Sequence, residues 1–240
     1  MTQRHVGGFL AVVLGPLGWC VGIGALIGGD PMIAIEIGGT ALAILWAAAL
    51  VRELVLSGHI AAELSVDAKE IVLFGVPCHV TPALAQDALV VGSLRPRIFV
   101  GAQLIGTLTD QELEAVVLHE DHHRRSHAPL RAAALGAWLR ILGRSERVRS
   151  VMLDRLADLE TMADADAIRR GSSPRSLARA LLKGGLSLEP VAFSYGAERR
   201  VERLLDHAAG TRGDVGVRLP YEWLPIALLG VTAVACHAGL

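Results

Sequence analysis

Leu113-Glu114-Ala115-Val116-Val117-Leu118-His119-Glu120-Asp121-His122-His123-Arg124-Arg125 is the stretch on which the reading of this chain turns. It places His119, Glu120 and His123 in the pattern H-E-x-x-H. Residues four apart on a helix share a face, so both imidazoles can reach a single metal ion. Glu120 directly follows the first ligand, where it can hold and deprotonate a metal-bound water. The flanking residues predict a helix. Thr109 followed by Glu112 reads as a capping box, and Leu113, Val116 and Val117 form an apolar stripe. A solvated helix end carrying His119, His122, His123 and His127 is the alternative reading of these residues alone. The order of Glu120 between its two histidines, straight after an apolar run, favours a buried site.

A metal held by two histidines needs a further protein ligand. Val151–Arg170 predicts a second helix, ended by Arg169 and Arg170 before Gly171. Glu160 and Asp164 lie four apart on it and share a face. Asp154, Asp158 and Asp166 are close by, so a solvated acidic face is the plain alternative. The pattern H-E-x-x-H-x-x-G-x-x-H is excluded as a source of the third ligand, because Ser126 and Pro129 stand where it needs glycine and histidine. A helical glutamate is the usual solution for this motif class, so Glu160 is the expected ligand and Zn2+ the expected cofactor.

Composition places this site in an apolar chain. Of the residues, 52% are hydrophobic, and the mean hydropathy of +0.45 exceeds that of an ordinary soluble globule. A formal charge of −1 argues against nucleic acid as a partner. Cys20, Cys78 and Cys236 are far apart and form no C-x-x-C pair, so neither a disulfide framework nor a cysteine zinc site is indicated.

Val6–Gly28 is continuously apolar and long enough to span a bilayer. A second apolar run, Met32–Val51, follows the Gly29-Asp30-Pro31 turn, so residues 1–52 are expected to form a transmembrane hairpin. Glu36, near the turn end of the second run, is expected to snorkel to the interface. Arg4 precedes the hairpin and Arg52 follows it, whereas the turn carries only Asp30. The positive-inside rule then places the N-terminus and the following domain in the cytoplasm. Tyr221–Leu240, opening with Tyr221 and Trp223, is expected to form a third span, residues 219–240.

Residues 53–218 read as a water-facing domain of zincin-like α+β type with a small β-sheet. Ile71–Phe74 is β-prone. Ala88–Val91 and Arg97–Val100 flank Gly92-Ser93-Leu94-Arg95-Pro96 like the arms of a hairpin. His127–Gly143 is apolar but interrupted by Arg131 and Arg140, and is expected to be a packed or interfacial helix, with a membrane helix as the alternative. Ser172–Gly216 is polar and holds the helical run Ala197–Leu205. The expected fold class is a mainly α membrane protein whose transmembrane helices flank the metalloprotease domain.

Three blocks in order carry a resemblance. Gly92-Ser93-Leu94-Arg95-Pro96-Arg97-Ile98-Phe99-Val100, then Leu108–Glu120, then Glu160-Thr161-Met162-Ala163-Asp164-Ala165-Asp166-Ala167 together resemble the integral-membrane gluzincin peptidases. The similarity covers roughly residues 70–205 and is greatest to the β-lactam-sensor/antirepressor (BlaR/MecR type) branch, with the HtpX and CAAX-prenyl-protease branch related to it. The resemblance implies that His119, His123 and Glu160 bind zinc and that Glu120 is the general base. It implies that Asp164 steadies a ligand histidine. It also gives Arg200 a contact with substrate or transition state, although Arg199 stands where the family carries glutamate. The sensor members bear an extracellular penicillin-binding domain for which this sequence leaves no room, so peptide-bond hydrolysis is implied and drug sensing is not.

The expected function is a membrane-anchored zinc endopeptidase of the cell membrane, multi-pass, with its catalytic domain in the cytoplasm. Its expected partners are the lipid bilayer and a protein or peptide substrate, a cytoplasmic transcriptional repressor among them. A catalytically silent zinc-binding scaffold in a signalling complex is the alternative. An intact Glu120 separates the two, because a scaffold needs the ligands but not the base. A metal transporter using His119–His127 as a relay is a poorer reading, since those histidines lie in no expected span.

Overall fold

A computed structural model describes residues 31–183 together with Arg200 and Leu204. The elements in chain order are α1 (Pro31–Ser65), β1 (Lys69–Leu73), β2 (Val76–Thr81), β3 (Ala88–Val91), β4 (Arg97–Gly101), α2 (Ala102–Thr107), α3 (Asp110–Arg125), α4 (Ala128–Leu142), α5 (Glu146–Arg169) and α6 (Pro174–Lys183). The described residues are mostly helical, with one small mixed sheet. They fall into two compact units, one of residues 31–53 and 133–154, the other of 54–132 and 155–183 with Arg200 and Leu204. Residues 133–154 therefore group with the first part of α1 and not with the rest of 53–218.

In the second unit the strand order is β1-β2-β4-β3. β1 and β2 are antiparallel, with Leu73 opposite Val76, so Phe74 and Gly75 alone make the turn. Both have positive φ, 49° and 78°, as a tight two-residue hairpin turn requires, and glycine takes that conformation at little cost. β2 runs parallel to β4. β3 and β4 form the antiparallel hairpin expected around Gly92–Pro96, with Leu89 opposite Phe99. β3 is left at the sheet edge.

Alternation along β4 divides the core. Ile98 and Val100 point to one face, where they join Val76, Cys78, Leu113 and Val117. Phe99 points to the other face, against Leu64 and Leu84. A second stripe of α3, Ala115 and Leu118, packs on Ala167 of α5, Leu177 and Ala178 of α6, and Leu204. The metal-motif helix is thus held between the sheet and two helices. Cys78 is fully buried in this core, and burial pushes its thiol pKa up to about 11.

The helix that carries the second apolar run does not end with that run at Val51, as the sequence reading expects. α1 continues past Arg52 as one helix to Ser65. Arg52–Leu64 holds no proline and is rich in leucine, alanine and glutamate, so nothing in it stops the helix. Gly38–Ser65 is long and apolar enough to cross a membrane, the only such helix among the described residues. Ile44, Leu45, Val51 and Val55 are each more than half exposed, so their apolar surface is not spent on a protein core. The expected spans Val6–Gly28 and Tyr221–Leu240 lie outside the described residues, as does most of the helical run expected over Ala197–Leu205.

Candidate metal centre

α3 begins with the capping box read from the sequence. Thr109 Oγ1 accepts from the Glu112 amide at 3.4 Å, and the Thr109 amide donates to Glu112 Oε2 at 3.0 Å. Glu112 also accepts from Lys183 Nζ at 2.7 Å, which ties the start of α3 to the end of α6. α5 starts earlier than expected, at Glu146, and ends with Gly171 in the left-handed region (φ 109°). There the Gly171 amide donates to the Ile168 carbonyl, and the Ser172 amide to that of Ala167, which closes the helix end.

These two helices bring His119, His123 and Glu160 together. The Nε2 atoms of His119 and His123 stand 3.0 Å apart. His119 Nε2 is 3.4 Å from Glu160 Oε2, and His123 Nε2 is 3.3 Å from Glu160 Oε1. Both histidines are buried. Ligand atoms 2.0–2.1 Å from a tetrahedral zinc ion are separated by roughly 3.3 Å, and the three separations are of that size, although the two to Glu160 end on different oxygens of its carboxylate. The donor set of two imidazole nitrogens and a carboxylate suits the same metal. A group of this kind can hold a metal ion.

Asp164 and Arg200 complete the site. His119 Nδ1 lies 2.9 Å from Asp164 Oδ1, although off the line of a well-aligned N–H···O bond. Arg200 donates to Asp164 from Nε at 3.0 Å and from Nη2 at 2.8 Å. Its Nη1 sits 2.7 Å from Glu160 Oε2. His123 Nδ1 is buried and has no hydrogen-bond partner among the described residues.

The charges of the cluster support one another. Burial works against the charged form of Glu160, but His119, His123 and Arg200 outweigh it and hold the carboxyl well below its usual range. Burial likewise opposes protonation of His119, yet Asp164 and Glu160 raise its pKa to about 10. Without a metal, a proton on His119 answers the carboxylates; a bound dication would take over that charge. Glu120 is half-buried on the same helix, and burial raises its carboxyl pKa.

His122 and Asp121 stand outside the metal cluster, and the structure accounts for both. Asp121 is nearly fully buried, where it accepts from Arg124 Nε and Nη2 at 3.0 and 2.7 Å, from Arg125 Nε at 3.0 Å and from Arg170 at 2.7 Å. Burial opposes its charge, and Arg124 and Arg170 more than offset this, lowering its pKa. Asp166 of α5 accepts from Arg125 at 2.6 Å and lies 3.3 Å from His122 Nδ1. The ends of the two ligand-bearing helices are thereby clamped. The sequence reading did not foresee this network; its visible trace is the pair of Arg-Arg steps at 124–125 and 169–170.

Compared with models of protein families, with curated proteins and with solved structures, the chain matches none.

Proposed function

We propose that this protein is a membrane-anchored zinc endopeptidase. The observation that carries the reading is the convergence of His119 Nε2, His123 Nε2 and the Glu160 carboxylate, with Glu120 on the helix turn between the two histidines. His119, His123 and Glu160 would hold the ion. A bound zinc ion supplies an acidified water and polarises a carbonyl. Glu120 is the proton carrier: its carboxylate accepts the proton from the attacking water and returns it to the leaving amine. Burial moves its pKa up from the usual carboxylate range, which favours both halves of that transfer. Asp164 orients His119, and Arg200 fixes Glu160 and Asp164 while compensating their charge. β3, at the sheet edge among the described residues, suits an extended peptide, which would add to the sheet through backbone hydrogen bonds.

The resemblance to BlaR/MecR-type peptidases supports the same chemistry and suggests regulatory or quality-control proteolysis, with a cytoplasmic repressor among the candidate substrates. In this reading α1 is one of several spans, and the metal-bearing domain faces the cytoplasm, as Arg4 and Arg52 favour. The test is cleavage of a peptide library by the zinc-loaded full chain in detergent, read by mass spectrometry. The wild type should cut, and Glu120→Gln should retain zinc while losing roughly 10²–10⁴-fold in rate. A zinc-loaded wild type that cuts nothing would favour the silent scaffold. Glu120→Gln activity within about threefold of wild type would remove Glu120 from the chemistry, given that scale of general-base loss.

A further inference from the structure

The first unit carries a second feature of a different kind. A groove of about 430 Å³ is lined by Leu45, Ala48 and Ala49 of α1, Ile141 of α4, and the side chains of Arg52 and Arg140. Its wall is apolar, and among the described residues that line it the two arginines are the only charged ones. Both guanidinium groups meet the same oxygen, Glu53 Oε1: Arg140 Nη2 at 2.5 Å and Nε at 3.1 Å, Arg52 Nη1 at 3.3 Å. One carboxylate thus answers two cations, which leaves a net charge of +1. The arginine side chains are 53% and 46% exposed, so each keeps donors free for another acceptor.

We infer that this groove is a binding site for an anionic phospholipid, an acyl chain lying along Leu45, Ala48, Ala49 and Ile141 and the phosphate meeting Arg52 and Arg140. Leu45 of the groove wall is itself more than half exposed, as are Ile44 and Val51 on the same helix, and Arg52 comes where the apolar run Met32–Val51 ends. A headgroup phosphate would lie at that level, with arginine stems along the chain and guanidinium groups at the interface. A zwitterionic lipid offers the same chain but no net charge for the cations. An inorganic phosphate offers the charge but nothing for the apolar wall. The inference rests on α1 entering the bilayer and is independent of the peptidase chemistry.

Trp46 and Trp138 pack together with ring centroids 6.0 Å apart, one residue from Leu45 and two from Arg140 in sequence, and make local reporters. The full chain carrying Trp19→Phe and Trp223→Phe is placed in mixed micelles, and its fluorescence is quenched with brominated phosphatidylglycerol or brominated phosphatidylcholine. One net positive charge at headgroup level is worth roughly a fivefold preference, so phosphatidylglycerol should quench at about one fifth of the concentration. The double variant Arg52→Gln, Arg140→Gln should abolish the preference. Glu53→Gln frees both guanidinium groups and should increase it, which keeps the test decisive should the double variant fail to fold. Equal quenching by the two lipids in wild type, a preference unchanged in either variant, or reversal by millimolar inorganic phosphate would overturn the site. Quenching by neither lipid would overturn it through α1, whereas loss of proteolysis alone leaves it untouched.

Discussion

Arg200 grips Asp164 with two donors, Nε to Oδ2 at 3.0 Å and Nη2 to Oδ1 at 2.8 Å, while the same guanidinium reaches Glu160 at 2.7 Å. One largely buried cation therefore serves both the carboxylate that faces the histidine pair and the carboxylate behind His119. Arg200→Ala would leave buried Asp164 and partly buried Glu160 short of positive charge. Removing one partner of a buried ion pair costs about 3–5 kcal/mol. A metal ion supplies much of the missing charge, so the loss should fall mainly on the metal-free protein. Thermal melting with and without zinc is the check. The gap between the two melting temperatures should widen in Arg200→Ala, and an unchanged gap would mean that Arg200 does not share the cluster's charge.

Acid should loosen the start of α3. Lys183, with the Thr109 amide behind it, holds the Glu112 carboxyl below its usual range against the pull of burial. Because the folded pKa is depressed, this contribution is complete above the unfolded glutamate value of about 4.3 and is lost as pH falls through the folded one. Glu112→Gln keeps an acceptor for the cap but gives up the ion pair with half-exposed Lys183. At pH 7 the cost should stay under about 1 kcal/mol. Chemical denaturation from pH 7 down to pH 3 should show a shallower acid limb for the variant than for wild type. Parallel limbs would dissociate Glu112 from the acid response.

Asp121 is the polar residue least expected inside the motif, and it anchors three arginines. Asp121→Asn removes the charge those donors share and should destabilise the fold by about 1–3 kcal/mol, less than for a fully buried pair because the arginines are partly exposed. If the clamp also sets the spacing of α3 and α5, zinc affinity will fall as well, and Asp121→Glu will recover part of it. Competition with a fluorescent chelator measures that affinity. Lowered stability with unchanged affinity would reduce Asp121 to a purely structural role.

Where the pattern is local, the sequence carried the structure well. The i, i+4 spacing of His119 and His123, the Thr109–Glu112 cap, the hairpin of Ala88–Val91 with Arg97–Val100, and the shared face of Glu160 and Asp164 all depend on neighbours a few residues away. β2 escaped notice because Pro77 lies within it, and proline argues against a strand interior. α6 was hidden in a polar tract, although Ser173 followed by Pro174 is a helix-start signal: Ser173 Oγ accepts from the Arg175 amide at 3.2 Å. The continuation of α1 to Ser65 was masked by Arg52 and Glu53, which look like the edge of a membrane segment. The Asp121 clamp joins residues 49 positions apart, and no local spacing encodes such a contact.

Metal content tests the proposed centre most directly. Elemental analysis of the purified full chain should give about one zinc per chain, as a single site with three protein ligands requires. His119→Ala and Glu160→Ala should each lose that zinc, whereas His122→Ala should keep it, because its ring faces Asp166. Zinc retained by Glu160→Ala, or lost equally from His122→Ala, would contradict a centre built from His119, His123 and Glu160.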